Sequence, residues 1–481
     1  MNRGRLRQVH VAVAGGFGSL IMGSVNVWPS YTSEYYSSNT TTPLSAPMTK
    51  GEEALLGSLP SLGAMIGTAI AGFLINRFGR RNGGVILSLP YVLTWAIIGV
   101  STSMKLILAS RFFAGIAGGG FLVLTPIFIS EVAEDSIRGG LASVAVLLYC
   151  LGTFISYMAG WFLTYKYIIW IQLLLSAMGT LLIFLVVESP VYLLKNNRDE
   201  EARESMAKFR GVEVTSPVVI KEMTRIRNQL MPAVEMISIT DTDPKAEEAE
   251  KQKLNLEEAM PEVQKMSAIK LLFVSPSSRR GFVVVSTVIS MQVFMGIVPV
   301  QVYSKTVFTE TDPAHTDLYS VIFSILQFFG TLVTTLIADK AGRKILLISS
   351  SFLVCISMAG LGVLLQMNSG PAWLIICLIM VYCFSFMTGA GSMPYVLLAE
   401  MFITEVQSLA SMIIIEWVWF LNFLIIAIFP FLVSLLGIYG VFYIFSIVSL
   451  LNAIFSIFFV PETKGLSNEQ IQDVLRSRKK H

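Results

Sequence analysis

Six side chains set inside long apolar stretches are the candidates for chemistry in this sequence: Gln292, Tyr303, Gln327, Tyr395, Trp419 and Asn422. Amides both donate and accept hydrogen bonds, and aromatic faces cover C–H surface. Together they suit reversible binding of an uncharged, hydroxyl-rich solute. Gln292, Gly296, Pro299 and Tyr303 recur at spacings of four, three and four, which puts them on one face of a continuous helix. Gln327 sits in the middle of the next apolar run, Tyr395 follows Pro394 and the TGAGS break, and Trp419 and Asn422 lie one turn apart.

One carboxylate, Glu416, is embedded in SMIIIEWVWFLNF, about 60° around a helix from Trp419. An acid inside a membrane span is a functional-site hypothesis by default. It reads either as a proton site or as an acid near the inner end of its run, paired with a cytoplasmic base or water. No histidine lies in any apolar run. Covalent chemistry finds no support. The GIAGGG stretch at 115–120 lacks the Lys-Ser/Thr of a phosphate cradle, and no His/Cys/carboxylate cluster or Ser/His/Asp set is evident. The sequence therefore predicts no enzyme, no metal and no cofactor. Gly63/Gly67 and Gly115/Gly119 instead have the four-residue spacing that lets helices approach closely.

The elements that position these residues follow from composition. The chain has 481 residues, 54% hydrophobic and 14% charged, with a mean hydropathy of +0.68. A soluble domain would carry about 25% charged residues. Runs near the length that spans about 30 Å of hydrocarbon fall at 11–30, 54–75, 84–104, 107–129, 141–164, 167–187, 281–303, 318–338, 345–366, 371–397, 408–434 and 438–460. This predicts a multi-pass protein of the lipid bilayer. Arg3, Arg5 and Arg7, then Arg77, Arg80 and Arg81, then Lys340, Arg343 and Lys344 fall on one side, which the positive-inside rule makes cytoplasmic along with both termini. Asn39-Thr40-Thr41 is then a glycosylation acceptor in the first outside loop. All four cysteines lie in apolar runs, so no disulfide framework is expected. GSVNVWPSY offers no good cleavage site, so the first run reads as a retained helix rather than a signal peptide.

Residues 195–279 interrupt the hydropathy with a charge-dense segment, read as a cytoplasmic linker with short helices. It divides a first six-helix bundle (1–194) from a second (280–465), followed by a cytoplasmic tail (466–481). The halves echo each other: NRFGRR at 76–81 and DKAGRK at 339–344, SEVAEDSIRG at 130–139 and AEMFITEVQS at 399–408, VVESPVYL at 187–194 and FVPETKGL at 459–466. A duplicated six-helix unit points to a transporter with its site between the halves near mid-membrane.

With GFLINRFGRR, RFFAGIAGG…PIFISEV…RGG, ESPVYLL, DKAGRK, PYVLLAEMF and PETKG, the chain resembles the sugar porters of the major facilitator superfamily over about residues 10–470. Asn76 matches the facilitative glucose transporters. GSLPSLGAMIG and Trp28-Pro29-Ser30 resemble the facilitated trehalose transporters of arthropods. The resemblance implies an all-α membrane protein with the major facilitator fold, twelve transmembrane helices in two pseudo-symmetric bundles. It places Gln292, Gln327, Tyr395, Trp419 and Asn422 at sugar-contact positions. It also implies a cytoplasmic charge network between the halves, made by Arg80, Arg81, Glu131, Arg138, Asp339, Arg343 and Glu400, that holds the outward-facing state.

Departures matter too. Gln407 stands where the family has Arg. Val146, Val293, Val298 and Met387 replace three amides and a Glu, and Val25 stands where proton-coupled relatives carry Asp. The expectation is facilitative uniport of trehalose or a hexose at the plasma membrane. Proton symport through Glu416, a non-transporting sensor, or transport of another small solute are the alternatives. A sensor would carry a longer tail than the sixteen residues that follow PETKG. The expected partners are a small sugar and the bilayer, with no nucleic acid and no obligate protein partner.

Overall fold

The computed structural model describes residues 3–40, 42–134, 136–230, 268–309, 313–367, 371–466 and 468–476, apart from a few side chains, among them that of Asp339. The first half contains six long helices: α1 (Arg3–Ser37), α2 (Lys50–Phe78), α3 (Arg80–Val100), α4 (Met104–Val132), α5 (Arg138–Phe162) and α6 (Tyr165–Phe184). Short helices follow: α7 (Pro190–Lys195), α8 (Asp199–Arg210), α9 (Pro217–Leu230) and α10 (Ala268–Val274). The middle of the expected linker lies outside the described residues. The second half holds α11 (Pro276–Phe294), α12 (Ile297–Val302), α13 (Ser304–Thr309), α14 (Thr316–Ala341), α15 (Arg343–Gln366), α16 (Ala372–Ser385), α17 (Met393–Glu400), α18 (Thr404–Phe459) and α19 (Asn468–Arg476).

Eleven helical segments among the described residues are long and apolar enough to cross a membrane. The twelfth run is hidden in α18, whose 56 residues are broken at Gly437 (φ 69°, ψ 165°), so the last two crossings meet there without a loop. All-α architecture follows from the solvent: without water, each backbone N–H and C=O must be satisfied within its own helix. Each half packs its own core. One apolar cluster is built from residues 271–475, and a second from residues 20–169. The four cysteines are free.

Helix entries and contacts are set by identifiable residues. α2 opens with a capping box, Thr49 Oγ1 accepting from Glu52 N and Glu52 accepting from Thr49 N. α2 and α4 press backbone on backbone. A Cβ on Gly63 would lie 2.0 Å from Phe112 O, and one on Gly115 would lie 2.1 Å from Pro60 O. Two spans of the second half are interrupted along their length: Gly296 (φ 85°) separates α11 from α12, and a π-helical turn at Phe386–Ala390 separates α16 from α17. Broken helices in a membrane protein expose backbone groups where they line a site.

Candidate functional site

The polar residues at the centre form a chain that crosses from one half to the other. Asn26 Nδ2 of α1 donates to the Tyr149 hydroxyl of α5 at 3.0 Å. That hydroxyl donates to Gln301 Oε1 of α12 at 3.5 Å, and Gln301 Nε2 donates to Gln327 Oε1 of α14 at 3.4 Å. Tyr157 also donates to the Gln301 carbonyl at 2.6 Å. Gln327 Nε2 is left buried without a partner in the chain. The same holds for Gln292 Oε1, whose Nε2 donates to Gly391 O at 3.2 Å, and for Asn422 Oδ1 and Trp419 Nε1. Leaving such an atom unpaired costs about 1–3 kcal/mol, so four groups of the expected set have unspent capacity for a polar solute. Trp419, from the second half, packs against the first-half core, and Tyr395 is 40% exposed at the start of α17.

Tyr303 is placed differently from the other five. A continuous helix would set it on the face of Gln292, but the left-handed Gly296 resets the register and Tyr303 falls just past α12. There it stacks on Phe429 at 5.2 Å. Its hydroxyl lies 3.4 Å from the carbonyl oxygens of Glu53 in the first half and Ile426 in the second. It therefore joins the halves at the end of the molecule remote from the linker. The same end holds Ser30 Oγ against Ser304 Oγ at 2.7 Å, Lys305 N donating to Ser30 Oγ at 3.1 Å, and Lys305 Nζ 3.7 Å from Glu34.

At the linker end the two halves carry the same device twice. Arg80 grips Glu131 with two N–H groups at 2.8 and 2.5 Å, and Ser189 Oγ donates to Glu131 Oε2 at 2.6 Å. Glu188 accepts from the backbone N–H of Arg80 (2.8 Å), Arg81 (3.1 Å) and Ser189 (2.8 Å). Burial pushes its carboxyl above the usual range, against these N–H donors and the Arg80 charge. In the second half Arg343 holds Glu400 at 3.1 Å, and Thr463 donates to Glu400 at 2.5 Å. Glu462 accepts from the backbone of Arg343 (3.0 Å), Lys344 (3.2 Å) and Thr463 (3.0 Å). Both carboxylates press on a glycine at positive φ, Gly79 (91°) and Gly342 (94°). Arg138 donates to Ala133 O at 3.3 Å, and its counterpart Gln407 donates to Ala399 O at 2.8 Å, so the neutral residue keeps the reach without the charge. Arg81 Nε donates to Phe184 O at 2.7 Å. Of the expected network, the described residues show the Arg80–Glu131 and Arg343–Glu400 pairs, each inside one half. Asp339 lies outside the described side chains.

The sequence profile of the family described as "Sugar (and other) transporter" matches residues 10–475. The chain belongs to this family. Among its relatives in the family are the "Facilitated trehalose transporter Tret1" of Drosophila yakuba and the "Solute carrier family 2, facilitated glucose transporter member 8" of Bos taurus. The first is 25% identical over 478 residues, 98% of this chain and 52% of that protein. The second is 25% identical over 439 residues, 86% of this chain and 84% of that protein. The chain spans about half the length of the Drosophila relatives it matches. The fold is that of a structure described as the inward open conformation of the xylose transporter XylE from E. coli, with a TM-score of 0.75 and 21% identity over 96% of this chain and 99% of that one.

Among the residues that depart from the resemblance, Met387 has a structural contact of its own. Met387 lies against Gly330, and its carbonyl accepts from Thr334 Oγ1 at 2.7 Å, joining α14 to the π-helical turn. Val293 is buried, while Val146 is 49% exposed. Near Val25 lies a group that spacing did not single out, Arg111 of α4. It is fully buried, donating to Val25 O at 2.6 Å and Leu56 O at 3.0 Å beneath the Trp28 ring. Its carbonyl partners tie α4 to α1 and α2. Asn26, Tyr149 and Gln301 were also missed, though an amide two residues past Pro299 in an apolar run was a legible signal. Among the described residues, no basic side chain is paired with Glu416. It accepts the hydroxyl of Thr68 from α2 of the other half.

Proposed function

We propose that this chain moves a neutral sugar, trehalose or a hexose, across the plasma membrane by alternating access, as a passive uniporter with both termini cytoplasmic. The observation that carries the reading is the Asn26–Tyr149–Gln301–Gln327 chain. It spans both halves, and Gln292, Gln327, Trp419 and Asn422 each carry a buried polar atom without a partner in the chain. Hydroxyl-rich, uncharged ligands match such a set of amides. A pocket shared by two bundles gains and loses its walls as they rock. The contacts gathered at the end remote from the linker support an inward-facing conformation. Arg80, Arg81, Glu131, Arg138, Asp339, Arg343 and Glu400 would then meet across the halves in the opposite one.

Uniport is supported by Val25 at the coupling position of the first helix and by Arg111 bonding to the backbone there. Asn39 is exposed in the turn after α1, where a glycan fits the proposed outside loop. The test is counterflow into liposomes of labelled trehalose, glucose, fructose and a panel of non-sugars. Saturable counterflow of trehalose or a hexose that an imposed proton gradient leaves unchanged is the expected result. Counterflow of non-sugars alone, or flux that rises with the gradient and loses that rise in Glu416→Gln, would replace this reading.

A further inference from the structure

A groove of about 780 Å³ runs between α2, α11 and both arms of α18, lined by Met65, Phe282, Ser290, Glu416, Trp417 and Leu451 among others. Several of its walls lie on faces turned away from Gln292 and Asn422. On α11, Ser290 and Phe294 line it about 160° around the helix from Gln292, and on α18, Trp417 and Phe420 line it about 140–160° from Asn422. Trp417, Phe420 and Leu451 are exposed within apolar spans, so the groove opens toward the hydrocarbon of the bilayer. We infer that this groove binds a single-chain amphipathic amine drawn from the membrane, with the ammonium paired to Glu416 and the chain lying along Phe282, Phe294, Phe420 and Leu451.

Charge complementarity selects this occupant. Glu416 is the one charged residue among those lining the groove, and no Lys or Arg faces it there. Thr68 engages Oε1, and Oε2 receives no hydrogen bond from the described residues. A carboxylate at this depth is costly unless paired. Ser286 adds a hydroxyl with no partner in the chain, and Ser290 accepts from Trp417 Nε1 at 2.9 Å, which fixes that indole as one wall. A neutral alkyl chain would satisfy the walls but not the acid. An ammonium on a chain satisfies both. The inference does not depend on what the central pocket transports.

The test is photolabelling of the purified full chain in liposomes with a dodecylamine carrying a terminal diazirine, with the chain-matched alcohol as control and labelled peptides mapped by mass spectrometry. Labelling by the amine should concentrate in 282–294 and 413–420, be displaced by unlabelled dodecylamine, and fall about tenfold in Glu416→Gln, the loss of roughly one ion pair in a partly dry site. Glu416→Asp, which keeps the charge, should retain most of it, and Ser286→Trp, which fills the groove from α11, should abolish it. Labelling of equal strength by the alcohol, or amine labelling unchanged in Glu416→Gln, would overturn the inference and leave ordinary lipid contact as the explanation.

Discussion

Glu188 and Glu462 show how a few atoms produce a motif. Each carboxylate collects the first N–H groups of the helix that begins at Arg80 or Arg343, and each leaves no room for a side chain at the preceding glycine. Gly79 combines φ 91° with a virtual Cβ only 2.3 Å from Glu188 Oε2, a conformation reserved for glycine. Gly79→Ala should therefore cost about 1–3 kcal/mol, seen as a lower melting temperature of the detergent-solubilised protein. Gly72→Ala, in open space on α2, should leave it unchanged. In the central pocket, Gln301→Leu removes two side-chain hydrogen bonds at about 0.5–1.5 kcal/mol each. It should raise the half-saturating sugar concentration in counterflow roughly tenfold while leaving the protein folded. Residue types were readable here: the amides stood out against apolar neighbours. Gln301 was legible as an amide in an apolar run, but its partner was not: only the three-dimensional path puts it opposite Tyr149.

At the scale of elements, periodicity located the spans well and their interruptions less well. A run of apolar residues shows that the chain stays in hydrocarbon, but the last two crossings are joined only by a break at Gly437 (φ 69°, ψ 165°), with no polar loop between them. The reading of Tyr303 failed for the same kind of reason. The spacing from Gln292 assumed 100° per residue through a glycine that takes a left-handed conformation instead. The broken segment turns α12 and α13 into the closing piece at the end remote from the linker. A pair of cysteines at Ser30 and Ser304, whose hydroxyl oxygens lie 2.7 Å apart, should cross-link on oxidation. Oxidation should stop counterflow and reduction restore it. Uninterrupted counterflow in the fully cross-linked protein would remove that segment from the moving parts.

For the whole molecule, the duplicated motifs predicted two bundles, and the cores, glycine turns and carboxylate clamps repeat accordingly. What a sequence does not encode legibly is which state of a rocking pair is populated. Arg80–Glu131 and Arg343–Glu400 look like one network in a list of charges and like two separate clamps in this conformation. If Arg138 helps close the linker end in the other state, Arg138→Ala should shift the population toward the present one, making cysteines in the central pocket more reactive from the linker side. Unchanged sidedness would count against such a role.

The account rests on rigid halves rocking about a central polar pocket, and distances across the two ends test it most directly. Spin labels at exposed Ser37 and Thr306 report the end remote from the linker, and labels at exposed Phe78 and Ile345 report the linker end. Pulsed electron resonance on the reconstituted protein, with and without the transported sugar, should show two populations in which one distance lengthens as the other shortens. A single fixed distance at both ends, or two distances that grow together, would contradict it.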